Sequence, residues 1–216
     1  MENEWSLIAL FKLGGPFMWP LLAFSIATVA LAVERVVYLF WHNMKVSDLK
    51  DKSLSLIRDG RISEAVSELA KEPRKNTSAT ILLSVVQNAE QGEARMEKAA
   101  EAEAQERIRR CENGFNYLTA LSSIAPLTGF LGTVSGMIGA FKSIASATEV
   151  NAQLVANGIY EALITTVFGL MIAIVALVSY NLMIQRVDTF AAEITKAVSD
   201  LVSAILKKQE QGAKGQ

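Results

Sequence analysis

Three long stretches without a charged side chain dominate the pattern of hydrophobic and polar positions. They cover residues 13–33, 113–141 and 162–185, and each is bounded by Lys, Arg or Glu. A helix needs about 20 apolar residues to cross a bilayer, so we expect three transmembrane helices. The chain is 51% hydrophobic over its 216 residues, which is above the share that an ordinary soluble domain carries.

The first stretch also has features of a cleavable signal peptide, because its apolar run contains Ala30-Leu31-Ala32. The region before the run carries two Glu and no Lys or Arg until Lys12, and the run is longer than the apolar core of a usual signal peptide. We therefore expect an uncleaved first transmembrane helix.

The distribution of Lys and Arg predicts the orientation of the chain. Of the 21 such residues, 14 lie in residues 34–112 and five follow residue 185, which leaves only Lys12 and Lys142 for the other side. By the positive-inside rule, the long loop and the C-terminal tail are cytoplasmic. The net charge of −1 offers no basic footprint for nucleic acid.

The predicted fold class is an all-α polytopic membrane protein whose long second and third helices extend into a cytoplasmic helical bundle. The loop sequence supports the bundle, since apolar residues recur in it at helical spacing. From Glu93 onward the chain has no Pro for many residues and is rich in Ala, Glu and Arg, which predicts one helix over 93–145 that runs straight into the second span. The expected organisation is periplasmic 1–12, transmembrane 13–41, a cytoplasmic helical domain 42–112, transmembrane 113–141, a periplasmic loop 142–156, transmembrane 157–185, and a cytoplasmic helix and tail 186–216.

Small residues form a stripe in the second span. On a helix, Gly129, Gly132, Gly136 and Gly139 share one face, and Thr133 borders it. Such a stripe lets helix backbones approach closely in lipid, and residues 132–136 match the GxxxG pattern. The stripe is explained either by helix packing alone or by packing around a functional path.

The third span adds polar atoms to the same theme. One side of its helix carries Thr166 and Gly169, together with Ala162, Ala173 and Tyr180, while Thr165 lies nearer the face of Glu161. An acid at the lip of a span is costly unless it faces protein or water, which makes Glu161 a functional candidate. The alternative is that Glu161 is an interfacial residue at a helix start, where the helix dipole favours a negative charge.

The remaining candidate chemistry argues against an enzyme and against a metal or cofactor site. Cys111 is the only cysteine and His42 the only histidine, and they are too far apart in sequence to suggest a ligand set. No nucleophile, base and orienting group occur together.

Three motifs together resemble the ExbB/TolQ branch of the MotA/TolQ/ExbB proton-channel family. They are GGPFMWPLLAFSIATVALAVERVVYLF, APLTGFLGTVSGMIGAF and NGIYEALITTVFGLMIAIVALVSYN. The resemblance implies a homopentamer in the bacterial inner membrane around a dimer of a single-span ExbD/TolR-like partner, whose Asp carries the protons. Motif for motif, Thr133 and Thr166 would line the proton path, Glu161 matches the family's acid and Pro126 heads the second motif. Thr165 adjoins Thr166, so either hydroxyl could face the pore, and Tyr160 departs from the small residues common beside the acid.

Within the family, the pattern of the first span resembles ExbB more than TolQ. An ExbB-like protein would energise outer-membrane uptake through a TonB-like protein, whereas a TolQ-like protein would act in outer-membrane integrity and division. A gliding-type motor of the same family is also possible, and MotA fits less well because it has four spans. A hypothesis of another class is a membrane scaffold that conducts no ions, although it gives no reason for Glu161 and the threonines.

Overall fold

A computed structural model describes residues 7–42, 44–73, 75–146 and 152–214. These residues form α-helices joined by short turns, with one 3-10 turn at Ala89–Gln91. The all-α expectation is therefore confirmed for this part of the chain. The helices are α1 (Leu7–Leu13), α2 (Met18–Trp41), α3 (Ser47–Arg58), α4 (Ile62–Lys71), α5 (Thr77–Gln87), α6 (Glu93–Glu112), α7 (Phe115–Ser146) and α8 (Ala152–Lys214).

Three helical stretches are long and apolar enough to cross a membrane, as the charge pattern predicts. They are Met18–Trp41, Glu93–Ser146 and Val155–Gln211, of which the last two are far longer than one crossing needs. Parts of the expected N-terminal segment, of the loop 142–156 and of the C-terminal tail lie outside the described residues.

The chain divides into two compact units. The first unit comprises the described residues up to Glu34 and those from Gly114 to Leu182, and the second unit comprises those from Arg35 to Asn113 and from Met183 onward. The helices α2 and α8 each contribute to both units.

The second unit has an extensive buried core of apolar side chains. Its buried residues come from α3 to α6 and from the end of α8, and include Ile57, Leu82, Met96 and Leu201, all essentially inaccessible to solvent. The helix α5 begins with an N-cap, since the side-chain oxygen of Asn76 accepts a hydrogen bond from the backbone N–H of Ala79 at 3.2 Å.

The first unit has a much smaller buried cluster, formed by Met18, Leu21, Ala125, Ile164 and Ile172. Large apolar side chains lie on its outside instead, among them Trp19 (67% exposed), Phe130 (60%) and Ile174 (61%). An exposed apolar surface of this extent is typical of helices that face lipid.

Two interruptions in the helices were not predicted. The first predicted span begins with a turn at Gly14–Phe17 between α1 and α2, where the φ of Gly15 is +66°. The prediction of one unbroken helix from residue 93 is wrong at Asn113–Gly114, because the φ of Gly114 is +90° and ends α6 there. Glycine adopts positive φ without the steric penalty of a Cβ atom.

Candidate functional site

The helices α7 and α8 approach so closely that their backbones nearly touch. A Cβ atom at Gly129 would lie 2.7 Å from the carbonyl oxygen of Thr165, and one at Gly169 would lie 2.6 Å from the carbonyl oxygen of Ala125. Real Cβ atoms essentially never come this close to another heavy atom. The contact is therefore open only to glycine at these two positions.

The rest of the stripe in α7 divides between this contact and the surface of the chain. A Cβ at Gly132 would overlap the side chain of Thr165, and one at Gly136 would lie 3.1 Å from Cβ of Ala162. By contrast, Gly139 is exposed and has open space around it. Three of the four glycines thus face the chain's own third span, whereas Gly139 lies on the exposed surface of α7.

Three threonine hydroxyls meet at this glycine contact. The hydroxyls of Thr133 and Thr166 hydrogen-bond to each other across the two helices. The hydroxyl of Thr165 lies 2.8 Å from the carbonyl oxygen of Ala162 and 3.2 Å from that of Gly129. Because glycine and alanine carry so little side chain, these carbonyl groups remain reachable from the neighbouring helix.

Counting donors and acceptors shows what this cluster can still bind. Thr165 can donate to Ala162, and Thr166 can donate to the carbonyl oxygen of Gly129 at 3.3 Å. Thr133 can then donate either to Ala162 at 3.1 Å or to the hydroxyl of Thr166. A hydroxyl group has one proton and two lone pairs, so the chain satisfies every donor and leaves acceptor capacity on the oxygens.

Burial separates the two adjacent threonines of α8. Thr165 is 1% exposed, while Thr166 and Thr133 are half-buried. The acceptor capacity that a further molecule can reach therefore lies on Thr133 and Thr166. Pro126 lies inside α7, about two helical turns before Thr133, and it is half-buried.

The carboxyl group of Glu161 lies one helical turn before Thr165 and is half-buried. It lies against Gly15, in the turn between α1 and α2. This contact was not predicted from the sequence. Gly14-Gly15-Pro16 is typical of a tight turn and indicates the turn itself, but not the residue that packs against it.

Other polar residues considered from the sequence form no comparable site. Within the described ranges, no group of three or more His, Cys, Asp or Glu side chains could hold a metal ion. Nδ1 of His42 lies 2.9 Å from the carbonyl oxygen of Tyr38, and Cys111 is buried.

Comparison with known proteins finds one family and several relatives. The profile of the MotA/TolQ/ExbB proton channel family matches residues 69–196. The biopolymer transport protein named ExbB-like 1 of Synechocystis sp. is 32% identical over 191 residues, which cover 84% of this chain and 74% of the relative. The biopolymer transport protein ExbB of Salmonella typhimurium is 29% identical over 180 residues (79% and 72%), and the Tol-Pal system protein TolQ of Haemophilus influenzae is 35% identical over 105 residues (49% and 46%). Together with the three long apolar helices, these matches indicate a multi-pass inner-membrane protein.

Proposed function

Because the chain belongs to the MotA/TolQ/ExbB proton channel family, we propose that it is the wall subunit of a proton-driven motor in the inner membrane. In this proposal, five copies surround a dimer of an ExbD-like single-span protein and convert the proton motive force into mechanical work for TonB-dependent outer-membrane transport. The observation that carries the proposal is the hydroxyl cluster of Thr133, Thr165 and Thr166 at the glycine contact.

The cluster suits a passive side of a proton path. Hydroxyl groups accept and donate hydrogen bonds, but they do not themselves hold a charge at neutral pH. A proton relay in a membrane needs an ionisable group at depth, and residues 113–141 and 162–185 contain none of Asp, Glu, Lys or Arg. The ionisable group is therefore assigned to the partner, with the accessible oxygens of Thr133 and Thr166 facing it.

The driving force available to such a path is substantial. Moving one charge across a membrane potential yields about 2.3 kcal/mol for each 100 mV. This exceeds the worth of a single hydrogen bond between membrane helices, which averages about 0.6 kcal/mol and rarely exceeds 2 kcal/mol. Proton flow can thus break and remake individual contacts of the threonine cluster without unfolding the helices.

A TolQ-like role is the second candidate, because relatives named ExbB and TolQ match this chain at similar identity. A gliding-type motor of the family would share the same site. Expression in two bacterial strains, one lacking ExbB and one lacking TolQ, each with the cognate partner of this chain, separates the first two roles. Restored iron-siderophore uptake alone supports the TonB-linked role, and restored detergent resistance alone supports the TolQ-like role.

The test of the proposal is the composition and activity of the purified complex. Native mass spectrometry should find five copies of this chain with two of the partner, and Glu161→Gln should lower energy-dependent uptake while leaving the composition unchanged. A monomer or dimer of the wild-type chain contradicts the proposal. A normal complex that supports no proton-dependent work in any strain favours the scaffold hypothesis instead.

The proposed orientation has its own test. Ser146 and Ser67 are both exposed, and the Lys and Arg distribution assigns them to opposite sides of the membrane. On a Cys111→Ser background, cysteines at these two positions should react with an impermeant thiol reagent from opposite sides. Labelling of both from one side contradicts the three-span topology.

A further inference from the structure

The turn between α1 and α2 lies against the face of α8 that carries Glu161. A Cβ atom at Gly14 would lie 3.2 Å from Cγ2 of Ile164, and one at Gly15 would overlap Oε1 of Glu161 and lie 2.9 Å from its Cδ. Residues 161 and 164 are three apart and so share one face of the helix. The two glycines therefore contact two successive side chains, and the Glu161 carboxyl group occupies the space of a missing side chain.

Contacts on both sides hold this turn in place. The backbone N–H of Gly14 donates to the carbonyl oxygen of Leu10 at 3.0 Å, and that of Met18 donates to Gly15 at 3.2 Å. The Met18 side chain is only 2% exposed. The rings of Phe11 and Trp19 meet edge to face across the turn, with their centroids 5.2 Å apart.

The backbone of the turn also depends on its sequence. The φ of Gly15 is +66°, which side chains with a Cβ adopt only with strain. Pro16 follows directly and fixes its own φ near −65°. Position 15 thus favours glycine for two independent reasons, its backbone conformation and the carboxyl group against it.

We propose that this turn positions the carboxylate of Glu161 and that Gly15 is a positioning residue for the proton path. The inference rests on the proposed function, in which Glu161 guides protons. A free Glu side chain has three rotatable bonds and would sample many positions. Contact with Gly15 keeps the carboxylate against the turn between α1 and α2, near the start of the third span.

The first experiment separates the contact from the backbone conformation. Gly92 provides a matched control, because its φ is +86° but a Cβ there would meet nothing within 4 Å. We expect Gly15→Ala to lose most of the proton-dependent uptake with a normal pentamer, whereas Gly92→Ala retains it. Equal uptake in the two variants overturns the inference.

The second experiment is a rescue that a merely structural glycine would not show. Glu161→Asp shortens the side chain by one methylene and frees the space beside position 15. The double variant Gly15→Ala/Glu161→Asp should therefore show several-fold more uptake than Gly15→Ala alone. A double variant as inactive as Gly15→Ala overturns the inference.

A third variant covers the case in which Gly15→Ala does not assemble. Glu161→Ala removes the carboxyl group, so the double variant Gly15→Ala/Glu161→Ala should assemble again, and a double variant that stays unassembled contradicts the contact. Glu161→Gln keeps the size of the side chain and separates this inference from the proposed function. Wild-type uptake in Glu161→Gln overturns the role of Glu161 and with it this inference, while the proposed function stands or falls with the threonine variants; failure of the rescue with a defective Glu161→Gln overturns only the role of Gly15.

Discussion

The buried faces of the two halves of α8 repeat at the same spacing but differ in the size of their side chains. Buried positions recur every three or four residues within each half, from Ala162 to Ala176 and from Met183 to Ile205. In the first unit these positions hold Ala162, Thr165, Gly169, Ile172 and Ala176. In the second unit they hold mostly large apolar side chains, namely Met183, Val187, Phe190, Ile194, Ala197, Leu201 and Ile205.

The exposed faces of the two halves differ in polarity. In the first unit the exposed side chains of α8 are mostly apolar, such as Leu163 (56% exposed) and Ile174 (61%). In the second unit they are polar or charged, such as Arg186 and Asp188. Along one continuous helix, the buried side chains thus change from mostly small to mostly large, and the exposed side chains change from mostly apolar to mostly polar.

This change along α8 indicates which interactions stabilise the packing of each half. In water, burial of large apolar side chains stabilises a fold at roughly 25 cal/mol for each Å² removed from solvent. Lipid tails are as apolar as Leu, so this driving force is absent between membrane helices, and close backbone packing with hydrogen bonds replaces it. Between α7 and α8, the glycine contact provides the close backbone packing and the threonine cluster provides the hydrogen bonds.

The largest expected effect comes from filling the glycine contact. Gly169→Leu would push a side chain into the backbone of Ala125, and we expect it to destabilise the helix pair by about 3 kcal/mol or more, the upper end of overpacking costs. Thermal unfolding of the detergent-solubilised protein measures this. Gly139→Leu is the matched control, since its surroundings within the chain are open, and an equally low midpoint for both variants contradicts the packing account.

Shortening a buried side chain in the second unit should destabilise the protein to a comparable or smaller extent, and the loss of stability should lie in that unit. Leu201 is fully buried, so Leu201→Ala should cost about 2–5 kcal/mol through lost burial and the cavity left behind. Hydrogen–deuterium exchange should rise in α3 to α6 and remain unchanged in α7. Thr195→Ala provides the control, because Thr195 is exposed and its hydroxyl donates to the carbonyl oxygen of Ala191 in its own helix at 2.8 Å.

Increased exchange confined to α7 in Leu201→Ala would contradict the assignment of this residue to the second unit's core. Equal exchange in Leu201→Ala and Thr195→Ala would show that side-chain burial does not stabilise that unit. Either result would remove the contrast between the two halves of α8.

The smallest effect concerns surface charge in the second unit. Hydrogen bonds from Lys52 and Lys71 lower the pKa of Glu68 from 4.5 to about 2. A pKa depressed in the folded state stabilises the fold above the unfolded pKa, and the stabilisation is lost as the pH falls from about 4.5 to 2. Because Glu68 and its two Lys partners are exposed and screened by salt, we expect only a small difference in unfolding midpoint between wild type and Glu68→Gln at pH 7, and this difference should shrink as the pH falls from about 4.5 towards 2. A difference that does not change with pH contradicts this linkage.

The sequence predicts the number of spans because the bilayer sets their length, and it predicts the small residues at the helix contact because few other residues permit one. It locates the contact face of α8 only approximately. A period of 3.6 residues groups Thr166, Ala173 and Tyr180 on one side of the helix. Thr166 bonds Thr133 of α7 and the ring of Tyr180 packs against Phe115, but all three are half-buried, whereas Thr165, Ile172 and Ala176 are buried. Long helices that pack side by side keep contact at a mean spacing of 3.5 residues, so the predicted face drifts from the observed one.

Two other features differ in how far local sequence indicates them. The break at Gly114 requires a positive φ; the Asn113-Gly114 dipeptide is a turn signal, but the helix-forming residues on both sides favour one continuous helix. The contact of Gly15 with Glu161 joins residues far apart in the chain. Only the packing of α8 against the turn brings them together.

The most direct test of the account is the activity of variants that lose one hydroxyl of the threonine cluster. Thr→Val keeps the shape of the side chain but removes its donor and acceptor. Thr128→Val is the matched control, because Thr128 lies in the same helix as Thr133 and its hydroxyl donates to the carbonyl oxygen of Ile124 within that helix at 3.0 Å. With the levels of this chain, its partner and their complex verified, we predict that Thr133→Val and Thr166→Val each lower proton-dependent uptake several-fold while Thr128→Val retains it; wild-type uptake in all three would contradict the proposed proton path.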